Sequence, residues 1–133
     1  MEQSMALGRA CREAIEASDE RVVLVSSNSL SHRHFTTESQ VPEDMSQEHI
    51  YNHAQYLWDM RIVDLMKHGR TQDLLDLFPE FVEQSVAEAD AGSMTWLLSA
   101  LGLPDYGAEI YGYGTVIGTG NAVAAWLPEE ASA

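Results

Sequence analysis

Five histidines, at positions 32, 34, 49, 53 and 68, are the residues of this chain best suited to move protons or to hold a metal. An imidazole titrates near neutral pH, so a loop histidine among hydroxylated neighbours can serve as a general acid or base. His32 and His34 meet that description, because they lie in Ser26-Ser27-Asn28-Ser29-Leu30-Ser31-His32-Arg33-His34, directly after an apolar run. Ser31 beside His32 makes no hydrolytic triad, since sequence neighbours rarely face each other and no Gly-x-Ser-x-Gly elbow is present. His49 and His53 have the i, i+4 spacing that sets two imidazoles on one helix face, where they can share a metal or simply decorate a polar surface. His68 reads as a charge near a helix C-terminus. The carboxylates Glu83, Glu88 and Asp90 precede Met94-Thr95-Trp96-Leu97-Leu98, and periodicity does not choose among them as ligands or as solvated charges. The stretch from Tyr111 to Gly120 is rich in glycine but lacks the Lys-Ser/Thr pair and the following helix of a phosphate loop.

Positioning such groups requires regular elements. Met5, Ala6, Ala10, Ala14 and Ile15 recur at helical spacing, which predicts a first helix over residues 5 to 17. Arg21 to Ser26 reads Val-Val-Leu-Val without alternation, as expected of a strand buried on both faces. The polar His32 segment therefore falls at a strand's C-terminal end, where open α/β sheets bind ligands. Thr36 to Asp44 reads as a loop. Ser46 is then a candidate N-cap for a long helix carrying Ile50, Ala54, Leu57, Trp58, Ile62 and Leu65, with Lys67 and His68 in its last turn and Gly69 as its stop. A further helix is predicted from Thr71 through Leu74, Leu75 and Phe78, with Pro79 opening another through Phe81, Val82 and Val86. Met94 to Leu101 forms a third helical stretch ending at Gly102. The glycines of the tail predict turns and close backbone approach, Ala122 to Trp126 a short final strand, and Pro128 onward a frayed end. One interior strand without neighbours leaves a sheet short of its other half. Either the glycine-rich tail hides a strand or the chain pairs with another polypeptide.

At 133 residues and 45% hydrophobic, the chain fits one domain with its own core. Seven basic against 21 acidic residues give a formal charge of −14, which disfavours nucleic acid and anionic membrane partners. The lone cysteine, Cys11, excludes an internal disulfide, fits a reducing compartment, and reads as a packed helix-face thiol. No apolar run reaches membrane-spanning length, and the N-terminus lacks a signal pattern, so a cytoplasmic location is expected.

The segment Ser29-Leu30-Ser31-His32-Arg33 resembles the strand-to-loop motif of the class III extradiol ring-cleaving dioxygenases, the protocatechuate 4,5-dioxygenase type. The likeness continues through Tyr56 to Gly69, the Leu77-Phe78-Pro79-Glu80 turn, Ala87-Glu88 with the Leu97-Leu98-Ser99-Ala100-Leu101-Gly102 helix, and Gly118-Thr119-Gly120-Asn121-Ala122-Val123. It covers residues 7 to 126, nearest to the branch that cleaves 2-aminophenol and more distantly to that cleaving homoprotocatechuate. The resemblance implies an α/β fold, a short mixed sheet flanked by helices. It implies that residues 1–133 correspond to the C-terminal part of one catalytic domain, incomplete alone. On the same grounds His32 is the acid-base residue that handles the substrate hydroxyl proton, and Glu88, rather than Asp90, is the carboxylate ligand of Fe(II). The two histidine ligands of iron are expected from an N-terminal half absent here, so the partners implied are that half or a related subunit, a small aromatic substrate and O2, in an oligomer. The alternative is a non-catalytic subunit or fragment acting only through association with a partner chain.

Overall fold

The computed structural model describes residues 1–33 and 50–128. The expected loop at 36–44, the Ser46 cap, His34, His49 and the end of the chain from residue 129 lie outside the described residues. Helix α1 spans Glu2–Glu16, α2 His53–Lys67, α3 Thr71–Ser85 and α4 Gly92–Ala100, with a 3-10 turn at Glu88–Ala91 ahead of α4. Strands β1, Glu109–Val116, and β2, Thr119–Ala125, follow as an antiparallel hairpin with an irregularity between Ile110 and Gly112. None of the described helices is long and apolar enough to cross a membrane.

The core is built where the apolar stripes of the helices meet. Ile62, Leu65 and Met66 of α2 pack with Leu74, Phe78 and Phe81 of α3, with Met94 and Leu98 of α4, and with Leu30 from the segment that follows α1. Ile110, Tyr113, Ala122 and Ala124 bring one face of the hairpin against this core, while Tyr111 and Val123 face outward, the period-2 alternation of a sheet covered on one side. Helix α1 lies on α4 at close range. A Cβ on Gly8 would come within 2.5 Å of Ser99 Cβ and 2.6 Å of the Trp96 carbonyl oxygen. Ser99 Oγ donates to the Met5 carbonyl at 2.8 Å and Arg12 Nη1 to the Leu101 carbonyl at 2.6 Å. Cys11 sits in this contact, half-buried, with the Trp96 indole N–H directed at its sulfur at 3.5 Å. It is a packed thiol, as its position on the helix face indicated.

Four expectations need correction. Residues 21–26 form no strand: Val23 is 85% exposed and Val25 73%, and the backbone from 21 to 28 finds no ladder partner among the described residues. A run apolar on both faces becomes a strand only when other strands and layers cover it. The glycine-rich tail does hold a further strand, β1, one of the two alternatives raised, but it pairs with β2 and not with residues 21–26. The two strands are antiparallel, not mixed, although an isolated parallel bridge joins Ile50 to Gly118. Ile50, in that bridge, lies outside the long helix, which starts instead at His53 with Asn52 as its N-cap, the Asn52 side chain accepting the Gln55 N–H at 2.8 Å. Finally, Pro79 opens no new helix. It lies inside α3 on the exposed face, and the buried residues either side, Leu74, Leu75, Phe78 and Phe81, offset the lost backbone bond.

Candidate active site

The segment Ser29–His32 is stitched between two elements. On one side Leu30 N–H donates to the Gly120 carbonyl at 2.7 Å and Gly120 N–H to the Ser31 carbonyl at 3.1 Å, attaching the segment to β2. On the other, Glu88 N–H donates to the Leu30 carbonyl at 3.2 Å and His32 N–H to the Val86 carbonyl at 3.1 Å, attaching it to the end of α3. Leu30 anchors it in the core. The chain after α3 turns sharply: Val86 caps the helix in the left-handed region, and Ala89, Asp90 and Ala91 follow with φ of 49°, 51° and 56°. Such conformations cost non-glycine residues about 1 kcal/mol or more each and persist only where surrounding contacts enforce them. Here the turn brings Glu88 back onto Ser29.

Glu88 Oε2 accepts the Ser29 N–H and, at 2.8 Å, the Ser29 hydroxyl. The same Ser29 Oγ lies 2.7 Å from His32 Nδ1, and His32 Nδ1 stands 3.7 Å from Glu88 Oε2. The imidazole and carboxylate side chains are 37% and 34% exposed. Both border an open cleft of about 440 Å³ whose other walls include Asn28, Val116, Ile117, Thr119 and Asn121. The β1–β2 turn that forms one wall uses Ile117 and Gly118, both at positive φ, as a two-residue hairpin requires.

Beneath the segment is a residue the sequence reading missed. Asp59 of α2 is 1% exposed and accepts three hydrogen bonds: Ser31 N–H at 2.9 Å, the Ser31 hydroxyl at 2.7 Å and the Tyr113 hydroxyl at 2.7 Å. Burial raises its carboxyl pKa above the ordinary range, against the opposing pull of those hydrogen bonds. Its signal was present, because Gln55, Asp59, Ile62 and Met66 share one helical stripe and all four are buried. An acidic residue on the core side of a helix must have built-in partners.

A profile for the catalytic LigB subunit of aromatic ring-opening dioxygenase matches residues 1–124. The chain belongs to the LigB family. It is 51% identical over 120 residues to a 2-aminophenol 1,6-dioxygenase beta subunit from a Pseudomonas species, covering 90% of this chain and 39% of that protein. It is 29% identical over 108 residues to a 3,4-dihydroxyphenylacetate 2,3-dioxygenase from Escherichia coli, covering 81% of this chain and 38% of that one. The chain thus spans about two fifths of the length of the curated relatives it matches.

In this LigB-family chain the other candidate residues stand apart from the cleft. Glu83 and Asp90 are exposed, with Asp90 in the left-handed turn. His53 is exposed at the start of α2, its ring stacked 6.2 Å from Tyr56, and its proposed metal partner His49 lies outside the described residues. His68 Nδ1 sits 2.8 Å from the Asp64 carbonyl oxygen at the end of α2, the helix-terminus position expected of it. Among the described residues no group of three or more His, Cys, Asp or Glu side chains is disposed to hold a metal ion.

Proposed function

We propose that this chain supplies the acid-base histidine, His32, and the carboxylate iron ligand, Glu88, of an Fe(II)-dependent extradiol dioxygenase that opens 2-aminophenol or a catechol-type ring. The observation that carries the reading is the pairing of these two side chains across Ser29 at one cleft, in a chain of the ring-opening dioxygenase family. The two histidine ligands would come from polypeptide outside these 133 residues, in a longer chain or a partner subunit. Iron bound at the completed site supplies chelation of adjacent ring heteroatoms and activation of O2.

The work of this chain's own residues is proton handling and placement. With the Ser29 hydroxyl proton directed at Glu88 Oε2, Ser29 Oγ is left to accept from His32 Nδ1–H. That tautomer makes Nε2 the proton-accepting nitrogen of the neutral ring. His32 can then take the proton of a substrate hydroxyl and return it as the ring opens, a role that typically contributes 10²–10⁴-fold. Ser29 holds imidazole and carboxylate at fixed separation, so one side chain meets the proton while its neighbour meets the metal.

The two roles are separable by mutation in the completed enzyme. His32→Ala should keep iron and lose turnover by about two orders of magnitude or more, whereas Glu88→Ala should lose iron. The reverse pattern, measured by iron content and 2-aminophenol consumption, would exchange the assignments. Full turnover in both variants would favour a non-catalytic, associating subunit.

A further inference from the structure

Asp59 does not line the cleft, yet the elements that shape it converge on this one carboxylate. Oδ1 takes the Ser31 N–H, and Oδ2 takes the Ser31 and Tyr113 hydroxyls. Ser31 Oγ in turn accepts the Gly120 N–H at 3.2 Å. Helix α2, β1, β2 and the His32 segment therefore meet at a single buried point. There is no spare room: a Cβ on Gly120 would fall 1.8 Å from Asp59 Oδ2 and 2.6 Å from the Tyr113 hydroxyl.

We propose that Asp59 is a positioning residue for His32: by gripping both the main chain and the side chain of Ser31, it fixes the backbone from Ser29 to His32 and so the His32–Ser29–Glu88 geometry. The inference rests on the assignment of His32 as the acid-base group. Stability alone explains the carboxylate poorly. A buried charge carries a desolvation cost that an apolar side chain of similar volume avoids. What the carboxylate provides instead is a set of acceptor sites rich enough for three convergent donors, two of them on the residue preceding His32. Small displacements of a catalytic group are expensive, since about 1 Å can cost on the order of a hundredfold in rate.

The test has two arms, one independent of catalysis. In the ¹⁵N-labelled chain, Asp59→Ala should move the backbone amide signals of Ser31 and His32 and the His32 ring signals. The Trp96 indole N–H, in the α1–α4 contact, should stay in place. In the enzyme completed by the polypeptide that carries the histidine ligands, Asp59→Ala should lower kcat with 2-aminophenol by roughly tenfold to a hundredfold. KM and iron content should be unchanged, and Asp59→Asn, which keeps an acceptor for Ser31 N–H, should recover part of the loss. If the alanine variant does not fold, Tyr113→Phe removes one of the three bonds and should shift the same signals and lower kcat by a smaller factor. Unmoved His32 signals, or a kcat that falls only with the folded fraction, would overturn the proposal. If His32→Ala leaves turnover intact, the acid-base assignment fails instead, and the amide signals still decide whether Asp59 holds the segment.

Discussion

His32 and Glu88 are 56 positions apart in sequence and share a serine hydroxyl in space. The motif around His32 and the position of Glu88 ahead of α4 were readable through the family resemblance. Their coupling through Ser29 was not, because it depends on a left-handed turn of Ala89, Asp90 and Ala91 that no local residue preference dictates. Asp59 was legible in principle from its place on a buried helical stripe. Gly120 was not, since its need for a missing Cβ arises only when β2 meets α2. Asp59 also yields a pH prediction. Its folded pKa is raised from an ordinary 3.8, so the folded state holds this proton more tightly than the unfolded chain does. Asp59 therefore stabilises least once pH has risen past its folded pKa, and its contribution is most favourable below 3.8. Urea unfolding of wild type and Asp59→Asn across acidic to neutral pH should show the difference shifting in favour of the asparagine variant as pH rises. A shift the other way would mean that the hydrogen bonds outweigh burial.

At the scale of elements, helical periodicity located α3 and α4, and the stop signals at Gly69 and Gly102 ended α2 and α4. The stripe expected for α2 missed its buried face, where Gln55 and Asp59 are buried while Ala54 and Leu57 are exposed. The other failures were non-local. Pro79 looks like a helix start, yet packing carries α3 through it, and glycines hid β1, whose pairing with β2 is a tertiary fact. The α1–α4 contact makes a separate prediction. Gly8→Ala puts a methyl group where Ser99 Cβ and the Trp96 carbonyl already stand, so it should destabilise by about 1–3 kcal/mol in chemical denaturation. The His32 amide signal should remain in place, since that contact is separate from the bonds around Ser31. Asn52→Ala should cost about 1 kcal/mol through the lost α2 cap.

At the scale of the molecule, the exposed Val22, Val23 and Val25 fit the proposal that further polypeptide completes this chain. The apolar run reads as a strand but forms none among the described residues, because pairing depends on neighbours that no residue within it specifies. We expect the run to be covered in the complete enzyme. Val23→Glu should then change the isolated chain's stability by no more than about 0.5 kcal/mol, as for other exposed positions, while weakening association with the histidine-bearing polypeptide. The most direct check on the whole account is an anaerobic Fe(II) titration with a 2-aminophenol turnover assay, run on this chain alone and after the histidine-bearing polypeptide is added. The chain alone should bind less than one iron and turn over nothing, and the completed enzyme should bind one iron per site and open the ring. One-to-one iron binding with turnover by this chain alone would contradict the account.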